Sequence, residues 1–306
     1  MAASESLVRL TLLTSVAPLV WGTSYAVSTE LLPPDRPLFG AALRALPAGL
    51  VAVAAARQLP HGHWWWRAAV LGTLNIGAFF ALLFTAAYRL PGGVGSTLGG
   101  ISPLLVAGLA FLLLREAPSW WRLGWAMAGL LGVALMALTA DARLDGGGLA
   151  AGIAAVLAMA MGVVLTRRWG RPVGSLAFAG WQLSAGGLLL APLAVVVEGR
   201  PPVLDGAAVS GYLWLGLVGT LLAYALWFDG VARLPIGAVS FLPLLSPAVA
   251  TFLGWLVAGE TLTPWQVAGF MLALSAIAAA QLPPALLRNL VRPRRSRRAP
   301  APCVAC

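Results

Sequence analysis

The amino-acid sequence predicts an all-α membrane protein with ten transmembrane helices, arranged as two inverted five-helix repeats. Three observations lead there. First, 60% of the 306 residues are hydrophobic and 10% are charged, against about 25% charged in a soluble domain. Such a chain cannot cover a water-facing surface. Second, apolar runs of about 20 residues, the length a bilayer-crossing helix needs, recur along the chain. The alternating ten-residue strands of a β-barrel are absent, and helices are the other way to keep backbone groups paired in lipid. Third, the chain repeats itself. A shift of 144 residues lays Arg89, Leu90, Pro91, Gly93, Ser96, Leu98, Ser102, Pro103, Glu116 and Trp121 onto Arg233, Leu234, Pro235, Gly237, Ser240, Leu242, Ser246, Pro247, Glu260 and Trp265. The ungapped window 81–121 holds 15 identities in 41 positions, where so biased a composition gives about four or five by chance.

The predicted spans are 9–29, 37–57, 67–89, 93–114, 120–139, 148–167, 174–197, 208–229, 236–258 and 264–284. Proline, glycine or charge ends each one. Pro33-Pro34 closes the first, Gln58–Trp66 the second, Arg115–Ser119 the fourth, Asp141–Gly147 the fifth and Arg168–Pro172 the sixth. No linker is long enough for a soluble domain. The expected units are 1–140 and 148–284, followed by a basic tail, 285–306, expected to be disordered.

Arginine sets the expected orientation. The chain has 20 basic residues and no Lys. With the N-terminus in the cytoplasm, inner segments hold Arg9, Arg57, Arg67, Arg115, Arg122, Arg167, Arg168, Arg171, Arg233 and six tail arginines. Outer loops hold Arg36, Arg89, Arg143 and Arg200. Positive charge favours the cytoplasmic side, so both termini are expected there. The net charge of +10 reads as attraction to anionic lipid rather than to nucleic acid. Trp64, Trp65, Trp66, Trp120, Trp121, Trp169, Trp227 and Trp265 fall at span ends, as interface residues should. Trp21, Trp181 and Trp255 fall inside spans. Because span three repeats as span eight and span four as span nine, repeated spans lie five apart. They cross in opposite directions, the arrangement that transporters use around a mid-bilayer substrate site.

Several motifs together resemble the drug/metabolite transporter superfamily of EamA type, over about 9–284. They are Trp21-Gly22, Arg44, the doubled Pro-x-Gly-x-x-Ser, the doubled Ser-Pro and the doubled Glu116 and Glu260. Within that superfamily the chain looks most like the YddG-type amino acid exporters of the bacterial inner membrane. The resemblance implies efflux of amino acids, aromatic ones among them, or of related metabolites. It implies a central cavity lined mainly by spans one, three, four, six, eight and nine. Other members carry drugs, polyamine-like cations, nucleosides or sugar phosphates, so those stay open as cargo.

Candidate residues follow from what is expensive in lipid. Arg44 is the one charge well inside a span, and ionisable groups there are usually functional. It reads as a gate or carboxylate contact, or as a bond to a neighbouring helix. Gln182 stands at the matching place in span seven. Trp21 with Tyr25, and Asn75 with Phe79, are spaced i, i+4 and share helix faces. Phe80 repeats as Tyr224 and Ser102 as Ser246. These nine residues (Trp21, Tyr25, Asn75, Phe79, Phe80, Ser102, Gln182, Tyr224, Ser246) form the expected substrate-binding set, an apolar pocket with few polar anchors. Pro103 and Pro247 interrupt matching spans and are expected hinges, with Arg44 as a gating residue. Asp229 is expected to pair with Arg233 at a helix end.

Other chemistries lack their residues. His61 and His63 have no third ligand nearby, so no metal or cofactor is expected. Cys303 and Cys306 both lie in the tail and cannot cross-link the membrane region. The first apolar run continues past Trp21 without a signal-peptidase site. A lipid-modifying enzyme would need an acid or nucleophile cluster that the sequence lacks. A channel or a lipid flippase fits the same repeat less well. The expected partners are a small-molecule substrate and the bilayer.

Overall fold

The computed structural model describes residues 2–90, 97–137, 145–257 and 262–282, and every regular element in these segments is a helix. The sequence forces this outcome: long apolar runs must pair their backbones internally where no water can. The helices are α1 (Ala2–Leu31), α2 (Pro37–Ala56), α3, α4 (Ser102–Leu114, preceded by a helical turn at 97–99), α5 (Trp120–Ala137), α6 (Gly146–Trp169), α7 (Ser175–Glu198), α8, α9 and α10 (Pro264–Ala280). Three of them are composite. α3 runs as Trp64–Gly72, a π-helical Thr73–Ala78 and Phe79–Arg89. α8 runs as Gly206–Leu213, a π-helical Trp214–Leu222 and Ala223–Arg233. α9 is a short Ile236–Val239, a 3-10 turn Leu242–Leu244 and Leu245–Val257. Eight segments among the described residues are long and apolar enough to cross a membrane. With the shorter α5 and α10, of 18 and 17 residues, ten helical passes are traced among the described residues.

Carboxylates and hydroxyls start the helices, since the first amide groups have no partner within the helix. Asp145 Oδ1 accepts from Gly148 N at 2.6 Å and Asp205 Oδ1 from Ala208 N at 2.8 Å. Thr263 and Gln266 form a reciprocal capping box on α10. Glu198, at the end of α7, caps a different helix. Its two oxygens accept from Leu38 N (2.6 Å) and Phe39 N (2.9 Å) of α2, and the Arg36 side chain donates to its backbone carbonyl.

The two halves meet along paired helices. α2 packs on α7 and α5 on α10; α1 packs on both α8 and α9, and α6 on both α3 and α4. Every such contact has its counterpart in the other half, as an inverted repeat requires. The α2–α7 crossing shows it at atomic scale. A methyl group on Gly49 would lie 2.4 Å from Ser184 N, and one on Gly187 would lie 2.7 Å from Leu46 Cα. Gly49 and Gly187 correspond between the units, as do Leu46 and Ser184. Without hydrophobic drive between helices in lipid, close backbone approach at small residues supplies the packing.

Tryptophan placement departs from expectation at two sites. Trp65, Trp66, Trp120 and Trp265 are exposed on the outer surface, but Trp64 and Trp227 are buried. Trp64 turns inward onto Phe178 at 5.9 Å, and Trp227 onto Trp21 at 5.5 Å. Position near a span end did not distinguish an interface ring from a core one. Of the three mid-span tryptophans, Trp181 Nε1 donates to Gln58 O at 2.7 Å, tying the start of α7 to the end of α2. Trp255 is exposed beside Phe252. Asp229 pairs with Arg233 as expected and also with Arg171 at 2.9 Å.

Gly187→Val is expected to destabilise the protein by about 1–3 kcal/mol, because an overpacked contact forces backbone shifts. It should lower the apparent Tm in detergent by several degrees. Gly124→Ala, with open space around it, should leave Tm unchanged or raise it.

Candidate functional site

The interior holds few polar side chains, and two pairs of them sit at matching places. Arg44 is the eighth residue of α2, and Gln182 the eighth of α7. Each reaches across to the π segment of the opposite unit. Arg44 Nε donates to Thr220 Oγ1 at 2.9 Å, and its Nη2 to Gly219 O at 3.1 Å. Gln182 Oε1 accepts from Asn75 Nδ2 at 2.7 Å. Asn75 and Gly219 are repeat partners, 144 residues apart. One construction therefore occurs twice: a polar side chain from a central helix bonds the wound-out turn of the helix that crosses it.

The two copies differ in chemistry. In the α2–α8 copy one of the two acceptors is a main-chain carbonyl, that of Gly219, and it also receives Trp21 Nε1 at 3.0 Å. The guanidinium lies over the Phe80 ring, 5.1 Å from its centroid, where the ring face attracts cations. In the α3–α7 copy the pair is neutral. Gly162 of α6 makes room for it: a methyl group there would fall 2.1 Å from Asn75 Oδ1. Gln182 Nε2 stays buried without a partner in the described residues. All four side chains, Arg44, Asn75, Gln182 and Thr220, are buried.

Aromatic rings surround the α2–α8 copy. Trp21 meets Tyr224 at 5.1 Å and Trp227 at 5.5 Å. Tyr224 continues to Phe228 (5.6 Å), which meets Phe178 edge-on at 5.7 Å. Phe80 bridges to Phe79 (5.6 Å) and Phe84 (6.3 Å). The expected residues Trp21, Phe80, Tyr224 and Arg44 thus gather into one cluster with Thr220 and the Gly219 carbonyl.

The other expected residues fall elsewhere. Asn75 and Gln182 bond each other. Asn75 and Phe79 were expected on one face by α-helical spacing, but the π segment ends between them. Asn75 turns to α6 and α7, while the ring contact of Phe79 is with Phe80. Ser246 reaches the cluster's edge through its backbone. A methyl group on Gly22, beside Trp21, would lie 2.8 Å from Ser246 O. Ser102 begins α4. Tyr25 lies on α1, and its side chain is outside the described residues, as are Pro91–Ser96, Glu260 and the cysteine-bearing tail. Pro103 and Pro247 do not kink continuous helices. Each sits near the start of a helix that resumes after a break, at 100–101 in one unit and 240–244 in the other. Thr220, Gly219 and Trp227 escaped the expected set. The repeat could have found Gly219, which answers to Asn75.

A model of the EamA-like transporter family matches residues 9–138 and again 146–280. The chain belongs to that family. The chain is 45% identical over 264 residues to protein PecM of Dickeya dadantii, covering 85% of this chain and 88% of PecM. It is 31% identical over 275 residues to a chloroplastic WAT1-related protein of Arabidopsis thaliana, covering 84% and 66%. A solved crystal structure superposes with a TM-score of 0.78 at 22% identity, over 90% of this chain and 98% of that one, a likeness of fold. In this EamA-like transporter each matched segment supplies five helices, α1–α5 and α6–α10.

Asn75→Ala should cost about 1–3 kcal/mol, because it leaves Gln182 buried and unpaired. A double-mutant cycle with Gln182→Ala, read by thermal unfolding, should give a coupling of about 0.5–3 kcal/mol. Additivity of the two changes would contradict the bond.

Proposed function

We propose that this EamA-like transporter exports amino acids, aromatic ones included, or closely related small metabolites across the bacterial inner membrane by alternating access. One observation carries the reading. Two inverted units hold a matched pair of buried polar contacts at π segments, and one of the pair lies inside an aromatic cluster. A mid-bilayer substrate site built at irregular helix turns is what secondary transporters of inverted-repeat design use. In this reading Trp21, Phe80, Tyr224 and Arg44 contact the substrate, with Tyr25, Phe79, Ser246 and Ser102 at the margins. The Asn75–Gln182 pair opens to meet it when the units move. Pro103 and Pro247, at matching helix restarts, serve as the hinges, and Arg44 gates the chamber. Both termini face the cytoplasm, and the units run over 1–140 and 148–284.

The names of two relatives bear on cargo. A protein of Streptantibioticus cattleyicolor, 27% identical over 217 residues, is named a probable terminal-alkyne amino-acid exporter. One of Chlamydia trachomatis, 27% identical over 272 residues, is named an S-adenosylmethionine/S-adenosylhomocysteine transporter. Both names describe molecules that carry an α-amino acid group, the second kind joined to adenosine, which supports that class over polyamines.

Reconstituted proteoliposomes test the reading. Saturable counterflow of at least one aromatic amino acid is expected, and Trp21→Ala or Tyr224→Ala should raise its KM about tenfold, a loss of about 1.4 kcal/mol in binding. Absence of counterflow for all twenty amino acids would remove the substrate claim. Unitary currents would replace the carrier with a channel.

A further inference from the structure

A cleft of about 60 Å³ opens between α4, the α4–α5 turn, α5 and the short first helix of α9. Its lining includes none of the residues of the aromatic cluster around Trp21 and Tyr224. Its lining combines four polar side chains, Glu116, Ser119, Arg122 and Ser240, with an apolar wall. Arg122 and Glu116 carry opposite charges, and Ser240 supplies a hydroxyl; Pro103, Ala107 and Phe241 form the wall.

Arg122, Glu116 and Ser240 are each left with unused capacity. Arg122 lies across Gly237, where a methyl group would come within 3.0 Å of Nη1. Its Nε donates to Ala280 O at 3.4 Å, and among the described residues its two Nη groups make no hydrogen bond. Glu116 acts electrostatically on Arg122, yet the ion pairs among the described residues do not include the two together. Its side chain is exposed. Ser240 is 2% exposed, and its Oγ has no partner among the described residues. A buried hydroxyl without a partner costs free energy unless something completes it.

We infer that this cleft is a docking site for the zwitterionic head group of an α-amino acid. A carboxylate takes the free Nη groups of Arg122 in charge-assisted bonds and the Ser240 hydroxyl as a third. The ammonium donates to Glu116. An opposed cation and anion that line one small space without bonding each other are what such a head group fills. The volume holds a few water molecules, enough for the head group with its side chain toward the open mouth. The role as a first stop for cargo rests on the export reading; the binding itself rests on the cleft alone.

Isothermal titration of the purified full chain in nanodiscs tests it, with glycine as the probe. Glycine is expected to bind, with glycinamide, which lacks the anion, and N-acetylglycine, which lacks the cation, each at least about tenfold weaker. Glu116→Gln and Arg122→Gln should each weaken glycine about tenfold. Glu116 is exposed, so its replacement preserves the fold even where Arg122→Gln does not. No glycine binding, equal affinity for the two blocked analogues, or indifference to Glu116→Gln overturns the site. Glycine binding that depends on Glu116, beside absent amino acid counterflow, keeps the cleft and removes the export reading. Counterflow beside Glu116-independent binding does the reverse.

Discussion

A guanidinium in the interior of a membrane bundle needs partners, and the rest of this structure is arranged around supplying them. Arg44 is 8% exposed, and an unmet charge at such depth is costly. An ordinary α-helical turn keeps its carbonyls for itself. The π segment of α8 presents the Gly219 carbonyl and the Thr220 hydroxyl to α2, and Phe80 adds its ring face. Trp21 fastens α1 to the same carbonyl. Four helices, α1, α2, α3 and α8, thereby depend on one cation.

The opposite unit repeats the geometry with neutral groups, and the glycine contacts explain why both copies hold their place. Gly49 and Gly187 bring α2 and α7 together at the centre; Gly132 and Gly269 do so for α5 and α10, where a methyl group on Gly269 would lie 2.5 Å from Gly132 O. Dense packing at these points fixes the distance that Arg44 and Gln182 must bridge. A longer side chain at either glycine would separate the helices and leave both polar groups short of their acceptors.

Much of the fold was legible because its signals are coarse. Composition identified lipid as the solvent, run length the spans, and the 144-residue shift the inverted pairing. The site was legible only in part. Trp21, Phe80, Tyr224 and Arg44 declared themselves as polar or aromatic groups in apolar runs. Gly219 contributes a carbonyl and no side chain, so no residue-type argument could select it. The π turns were invisible because one extra residue in a turn leaves the hydrophobic pattern of an apolar run unchanged. Ser102-Pro103 and Ser246-Pro247 are expected to interrupt their spans since proline breaks helices; here the chain has already left the helix and proline stands near the start of the next one. Trp64 and Trp227 misled because a ring near a span end can face the bilayer or the neighbour with equal ease.

The irregular winding of α8 has a mechanical corollary. An α-helix advances about 100° and 1.5 Å per residue. Should the surplus residue in Trp214–Leu222 be taken up by regular winding, everything beyond it on that rod swivels by roughly this angle. Tyr224, Trp227 and Phe228, which now form one wall with Trp21, would be carried round to a different neighbour, as the teeth of a key leave one set of pins for another.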